Sequence, residues 1–487
     1  MNTQISQLKK NFNALYIAGE WVKPIFEEKR TLISSHDQSV FGSIVLAHDA
    51  DIDSAVQKAV QHFKSGTWAN KPIEQRLAVF EKLNRIAPAY DRAYAELITL
   101  QNGAPISFNL PLQQSQAYLI DEFIRAAKLH PWEKITKIDE QHGSIVRSAP
   151  VGVVAAVTPW NAPLQSAMTK IIPALIAGCT VILKPTPETA LDALNIVTLF
   201  EEAGLDKGAL SILPADREAS EYLISHSGID KIAFTGSTSA GRIIASIAGK
   251  QMKRGSFELG GKSAGIILDD ISAQEVAQHT LIRSFLNNGQ ACIGLTRLFV
   301  PSAKYDEITQ TLAVTLNSLK IGNPIEEDTF LGPLFNKSQY DKVRGYIQLG
   351  VDEGATVACG GLDKPEGVQY EKGWYIKPTL LTHVNNNMRV AREEIFGPVV
   401  VAIAYDTLEE AIEMANDSEY GLSGGVFTND TNKAIEIARQ IRTGGVYINS
   451  QMPSFDTPFG GFKQSGMGRE FGQWGLNSFI ELQTIAF

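Results

Sequence analysis

The stretch VGVVAAVTPWNAPLQSAMTKIIPALIAGCTVILKP, Val151 to Pro185, decides how this chain folds. An apolar, β-branched run from Val151 to Thr158 is followed by a helical segment near Pro163 to Ala177, then by a second apolar run, Thr180 to Lys184. Strand-length runs separated by a helix predict parallel strands joined by a crossover. The alternation continues with a helix near Glu188 to Ala203, strands over Ala209 to Leu213 and Lys231 to Phe234, and a helix near Ser239 to Ile247. The expected class is α/β with a doubly wound parallel sheet.

A second α/β series follows: Ala264 to Leu268, a helix near Gln274 to Asn288, Arg297 to Val300, and a helix near Tyr305 to Leu319. Val399 to Ala404 and Gly445 to Ile448 read as its late strands, which argues for a second domain. Upstream of Ile145, apolar residues at i, i+3, i+4 intervals predict a helical layer over Ile52–Phe63, Ile73–Ile86, Tyr90–Leu100 and Leu112–Leu129. No internal repeat or low-complexity tract interrupts the 487 residues, a length that implies more than one core.

Charge narrows the partners. Against 53 acidic residues stand 44 Lys and Arg, with no cationic block, so nucleic acid is not the expected ligand. No signal core opens the N-terminus and no uninterrupted run of about 18 apolar residues follows, so neither membrane nor export is expected and the cytoplasm is. Three cysteines, Cys179, Cys292 and Cys359, are too few for a disulfide framework and too scattered for zinc. Cys179 and Cys359 read as packed thiols. Cys292, inside NNGQACIG, does not.

Ligands of a doubly wound sheet bind beyond the carboxyl ends of its strands, and four loops there carry unusual residues. In TPWNAP, Asn161 is either an amide that polarises a carbonyl oxygen or an Asn satisfying its own turn. In LKPTPE, Lys184 is either a ribose or phosphate ligand or a solvated strand end. FTGSTSAG, Phe234 to Gly241, leads a strand through glycines into a helix whose N-terminus suits a pyrophosphate, although it is not GxGxxG. In FELGGK, Glu258 is a general base if buried and an edge-strand carboxylate if not. EEIFGPV, Glu393 to Val399, adds a carboxylate beside an aromatic and a Gly-Pro turn, and a structural turn explains it equally well.

Taken in order, TPWN, KP, GSTxxG, ELGGK, GQxC, EEIFGP and PFGGFKxSGxGRE resemble the aldehyde dehydrogenase superfamily, as does YIAGEW, Tyr16 to Trp21. The resemblance covers essentially the whole chain. It implies a Rossmann-like NAD(P)-binding domain over residues 1–125 and 149–257, a catalytic domain over 258–465, and oligomerisation segments at 126–148 and 466–487. By that resemblance Cys292 is the nucleophile, Asn161 with the Cys292 N–H holds the oxyanion, and Glu258 activates water to hydrolyse a thioester. The glutamate sets the chain apart from the coenzyme-A-acylating branch.

The same resemblance assigns Lys184 to the adenosine ribose, the Gly236–Ser237 loop with Gly241 and Leu259 to the pyrophosphate side, and Glu394 to the nicotinamide ribose. Trp160 and Phe396 line the cleft and Gln339 reaches the adenosine ribose. Family members that prefer NAD carry Glu three residues after the lysine, whereas here that position is Pro187 and Glu188 is one place late. NADP use is therefore open; NAD stands slightly ahead because no arginine stands nearby. Ala162, Ser166, Thr169, Ala291, Ile293, Pro453 and Phe459 are the implied tunnel residues, small and uncharged, which favours a medium-chain aliphatic, terpenoid or aromatic aldehyde over a charged semialdehyde. A cofactor-independent cysteine esterase and a retired structural homologue are the rival readings. A homodimer or homotetramer is expected through Ile135–Ser148 and Ile480–Phe487.

Overall fold

The Val151–Pro185 stretch folds as strand Val153–Val157, helix Pro163–Ala177 and strand Thr180–Lys184, the two strands pairing in parallel. Pro163 opens the helix, where its missing N–H is not needed, and Gly178 closes it at φ 101°. Alternate strand residues serve different cores: Val153, Ala155 and Val157 pack with Ile52 and Leu223, while Val154 and Ala156 pack with Ile171 and Leu175. Burial on both faces explains why the strand reads as a continuous apolar run.

This computed structural model describes residues 8–487; residues 1–7, part of the segment read for a targeting signal, lie outside the described residues. Five parallel strands in the order Arg254–Glu258, Lys231–Thr235, Val153–Val157, Thr180–Lys184 and Leu210–Ile212 form the body of the first sheet. Val153–Val157 and Lys231–Thr235 are neighbours although two strands intervene in sequence, so the winding reverses between them. That reversal opens a crevice at their carboxyl ends. Antiparallel strands Leu15–Ile17 and Glu20–Val22 extend one side, and Gly466–Met467 closes the other.

The second sheet runs Thr356–Cys359, Thr379–Thr382, Val399–Tyr405, Leu295–Pro301, Ser263–Ile267, Ser423–Phe427 and Gly445–Ile448, parallel except at its first strand. The chain passes between sheets over residues 259–262, immediately after Glu258. A third, three-stranded sheet sets Gly143–Pro150 between Ile480–Ala486 and Glu133–Lys137, antiparallel to both.

Three local differences from the sequence reading matter. The helix expected to reach Asn288 ends as an α-helix at Thr280, loosens into a π-turn over Leu281–Phe285, and then leaves helical geometry, because Asn287 and Asn288 take φ 56° and 57°. Asparagine tolerates that left-handed region better than most residues. Not all of residues 466–487 joins the small sheet: Gly466–Met467 pairs with Arg254–Glu258, and a Cβ at Gly475, in helix Gly472–Asn477, would touch the Phe123 ring. Finally, Glu28–Ile33 and Val40–Leu46 form an antiparallel pair that the apolar periodicity does not announce.

Candidate active site

Glu258 closes strand Arg254–Glu258 and lies opposite Thr235 in register. It is 3% exposed, and neither carboxylate oxygen has a hydrogen-bond partner. An edge-strand carboxylate facing water is thereby excluded. Burial, reinforced by the Glu470 charge, pushes the Glu258 carboxyl well above its ordinary range, and Lys170 and Arg469 pull the other way. Lys170, from helix Pro163–Ala177, is 1% exposed and donates to Thr235 Oγ1 at 2.6 Å and Glu470 Oε1 at 2.7 Å. Sequence reasoning missed both Lys170 and Glu470. The signal was Lys170 as the one charged residue of that helix.

The glycines after Glu258 bring the other motifs together by close approach. A Cβ at Gly261 would stand 2.6 Å from the Cys292 carbonyl oxygen, and one at Gly260 would stand 2.5 Å from Glu394 Oε2. Gly261 N–H donates to Glu394 Oε1 at 2.9 Å. Cys292 therefore sits at the amino end of strand Leu295–Pro301 in the second sheet, facing the carboxyl edge of the first. The residue is half-buried, and burial together with the Glu394 and Glu258 charges pushes its thiol up to about 12. Glu394 is itself raised by burial, against the Gly261 N–H, Lys342 and Lys262. Lys262, 2% exposed with no hydrogen-bond partner, is lowered to about 7 by burial and by Arg297.

Amides, more than prolines, hold the TPWN turn. Asn102 Nδ2 donates to the Trp160 and Asn161 carbonyls at 3.3 and 3.2 Å, and Asn287 Nδ2 donates to the Asn161 carbonyl at 2.9 Å. Asn161 Nδ2 in turn reaches the Gln290 carbonyl at 3.0 Å, two residues before Cys292. Left-handed Asn287 and Asn288 aim these amides; Asn288 also ties Gly103, Gly332 and Pro333 to the same turn. Asn161 is thus a fixed amide beside Cys292, with one N–H committed to Gln290.

At the crevice, Ser237 caps helix Thr238–Lys250, accepting from Ala240 N–H, and no acidic residue occupies the first turn. Gly236 precedes the cap, and Leu259 packs on Gly241, where a Cβ would fall 2.4 Å from Leu259 Cδ2. Trp160 stacks on Phe335 with centroids 4.3 Å apart and meets Phe396 edge-on at 5.4 Å. Phe396 holds φ 62°, a costly geometry for an aromatic residue. Gln339, expected at a ribose, turns its amide N–H groups to the Ile395 and Phe396 carbonyls at 3.1 and 2.6 Å, and so steadies that loop. Lys184 is lowered to about 8 by burial, opposed by Glu188 and Asp216. Open helix N–H groups at a topological switch point, a lysine at the neighbouring strand end and an aromatic wall fit a dinucleotide.

The expectation that no arginine stands near Lys184 needs correction. Arg30, from strand Glu28–Ile33, pairs with Glu188 at 3.0 Å and Asp216 at 2.7 Å. Its distance in sequence hid it.

Among the implied tunnel residues, Ala162, Ser166, Ala291, Ile293, Pro453 and Phe459 are half-buried. Thr169 is 3% exposed with its hydroxyl turned to the Ser166 carbonyl. Phe459 packs on Phe471, Phe471 on Phe455, and Phe455 on Tyr118, an aromatic chain the sequence reading did not assemble. Arg283 approaches the same loop, but its Nη1 is committed to the Gln451 carbonyl and Met452 Sδ and its Nη2 to Ser423 Oγ. Among the described residues, no helix is long and apolar enough to cross a membrane.

Comparison with known proteins agrees with this arrangement. The aldehyde dehydrogenase family profile matches residues 21–485. Geranial dehydrogenase of Castellaniella defragrans is 37% identical over 479 residues, covering 97% of this chain and 98% of that one. A 3-succinoylsemialdehyde-pyridine dehydrogenase from Pseudomonas sp is 37% identical over 480 residues, at 98% of each chain. The crystal structure of a Mycobacterium tuberculosis aldehyde dehydrogenase complexed with NAD+ superposes with a TM-score of 0.94 at 37% identity, covering 98% of each chain.

Proposed function

The chain belongs to the aldehyde dehydrogenase family, and on that premise we propose that it oxidises an uncharged aldehyde to the carboxylic acid through a thioester on Cys292. The observation that carries this reading is the convergence of Cys292, Asn161 and a buried, unpartnered Glu258 on one cleft between the two sheets.

The Cys292 thiolate attacks the aldehyde carbonyl and forms a thiohemiacetal. Its thiol, held up to about 12 in the chain alone, must first lose a proton, and Glu258 is the neighbouring base. The new oxyanion lies within reach of the Asn161 amide and the Cys292 N–H, donors fixed before substrate arrives. NAD(P), when bound, would supply a hydride acceptor for this oxidation. Lys184, the Gly236–Ser237 loop with Gly241 and Leu259, Glu394, Trp160 and Phe396 would hold that cofactor. Glu258 then takes a proton from water, which hydrolyses the thioester and releases the acid. Its raised pKa makes it, once ionised, a stronger base than an exposed carboxylate, and the Lys170 charge opposes that rise.

Neutral substrates suit the entrance. The ring chain Tyr118, Phe455 and Phe459 lies beside it, and Arg283 has its Nη1 and Nη2 tied to protein groups. A terpenoid, medium-chain aliphatic or aromatic aldehyde is preferred, in keeping with the geranial dehydrogenase relative. NAD is the favoured cofactor over NADP. The exposed edge strands Ile480–Ala486 and Glu133–Lys137 of the small sheet offer unpaired backbone to a second copy, which supports a homodimer or homotetramer. A reducing, cytoplasmic setting goes with the cysteine count.

The test is nicotinamide reduction by the purified protein with NAD and NADP in parallel, across aliphatic, terpenoid, aromatic and semialdehyde substrates. Cys292→Ala should abolish it, a loss of roughly 10⁴-fold or more. Preference for a charged semialdehyde would overturn the substrate reading, and full activity without Cys292 would overturn the mechanism.

A further inference from the structure

We infer that Arg30 sets the choice between an adenosine 2′-hydroxyl and a 2′-phosphate in the cofactor cleft, an inference that rests on the dinucleotide reading above. Lys184 ends its strand at the crevice, and the position three residues on is Pro187, buried and without a carboxylate. The next residue, Glu188, lies in the turn Pro187–Thr189 and accepts at its Oε1 from Arg30 Nη1 at 3.0 Å. Arg30 Nη2 meets Asp216 Oδ2 at 2.7 Å. Asp216 stands at the head of helix Arg217–Ser225, in the loop after strand Leu210–Ile212, which is the next strand of the same sheet.

Glu188 and Asp216 are also the two carboxylates whose charge reaches Lys184. Lys184, Arg30, Glu188 and Asp216 therefore form one group in which two cations and two carboxylates cancel. A 2′-phosphate, carrying about −1.5 to −2 charges, would meet carboxylates that already hold the guanidinium. A ribose hydroxyl would meet acceptors instead. With both carboxylates neutralised, the group becomes cationic and a planar five-donor fork is released, the geometry that grips phosphate. Arg30, Glu188 and Asp216 are 30%, 44% and 51% exposed at their side chains, so they can be changed without opening a core.

The experiment is calorimetric titration of the full-length protein with 5′-AMP and with 2′,5′-ADP, followed by kcat/KM with NAD and NADP. Wild type should bind 5′-AMP more tightly. Glu188→Gln with Asp216→Asn should raise 2′,5′-ADP affinity by roughly tenfold or more, and adding Arg30→Ala should remove that gain. A gain that survives Arg30→Ala would assign the effect to carboxylate charge alone and overturn the role of Arg30. Absence of any gain would place the 2′ position elsewhere and overturn it too. Wild-type protein that binds neither nucleotide would overturn the dinucleotide reading itself, and this inference with it.

Discussion

Two lysine–carboxylate groups flank the cleft, and they differ in water more than in composition. Lys170, Glu470 and Glu258 meet at the inner end, where Lys170 is 1% and Glu258 3% exposed. Lys184, Glu188, Asp216 and Arg30 meet at the rim, where the two carboxylates are about half exposed. Water screens the Arg30 pairs of the outer group, so they add little to stability and act through which ligand they admit. In the inner group the same charges reset a proton affinity, because desolvation is not repaid by hydrogen bonds to Glu258.

Substituting the inner carboxylate should sharpen this contrast most. Glu258→Gln removes the base, and turnover should fall by roughly 10²- to 10⁴-fold while an acyl adduct accumulates on Cys292, visible as added mass on the intact protein. Wild-type turnover with no adduct would break the assignment. Lys170→Met leaves the buried Glu258 and the half-buried Glu470 without the cation between them, and denaturant unfolding should show a loss of about 3–5 kcal/mol. A neutral result would mean that water reaches the pair.

The pH profile resolves the inner group further. Glu258 must be ionised to act and its pKa is raised, so hydrolysis should fall as pH drops through a midpoint above the ordinary value of about 4.3. Glu470→Gln removes a charge that raises Glu258, so the midpoint should move down; Lys170→Met removes one that lowers it, so the midpoint in whatever protein folds should move up. Equal profiles in all three proteins would detach both residues from Glu258. At the rim, Arg30→Ala should change stability by only about 0–1 kcal/mol in the same unfolding measurement. A loss as large as that of Lys170→Met would erase the distinction between the groups.

Much of the fold was legible in the chain itself. Val153–Val157, Thr180–Lys184 and Lys231–Thr235 are buried on both faces, so their apolar runs announce strands whatever surrounds them. Asn161, Glu258, Cys292 and Glu394 stood out as polar or nucleophilic residues among glycines and turns. The aromatic chain from Tyr118 to Phe459 did not, since each ring alone reads as ordinary core. Nor did the left-handed pair Asn287–Asn288, whose apolar lead-in reads as continuing helix.

By itself the sequence determined the parallel α/β architecture and the residue types available for chemistry, because apolar periodicity and loop composition are local properties. Tertiary structure alone decided what those residues face. Glu258 is a buried carboxylate rather than a solvated edge because Gly466–Met467 closes the sheet beside it, and the charge of Lys170 acts on it from a helix that begins almost a hundred residues earlier. Arg30 meets Glu188 only because a strand near the N-terminus is laid against the cofactor sheet. Electrostatics depends on distance in space and on excluded water, and neither is written in the spacing of residues along a chain.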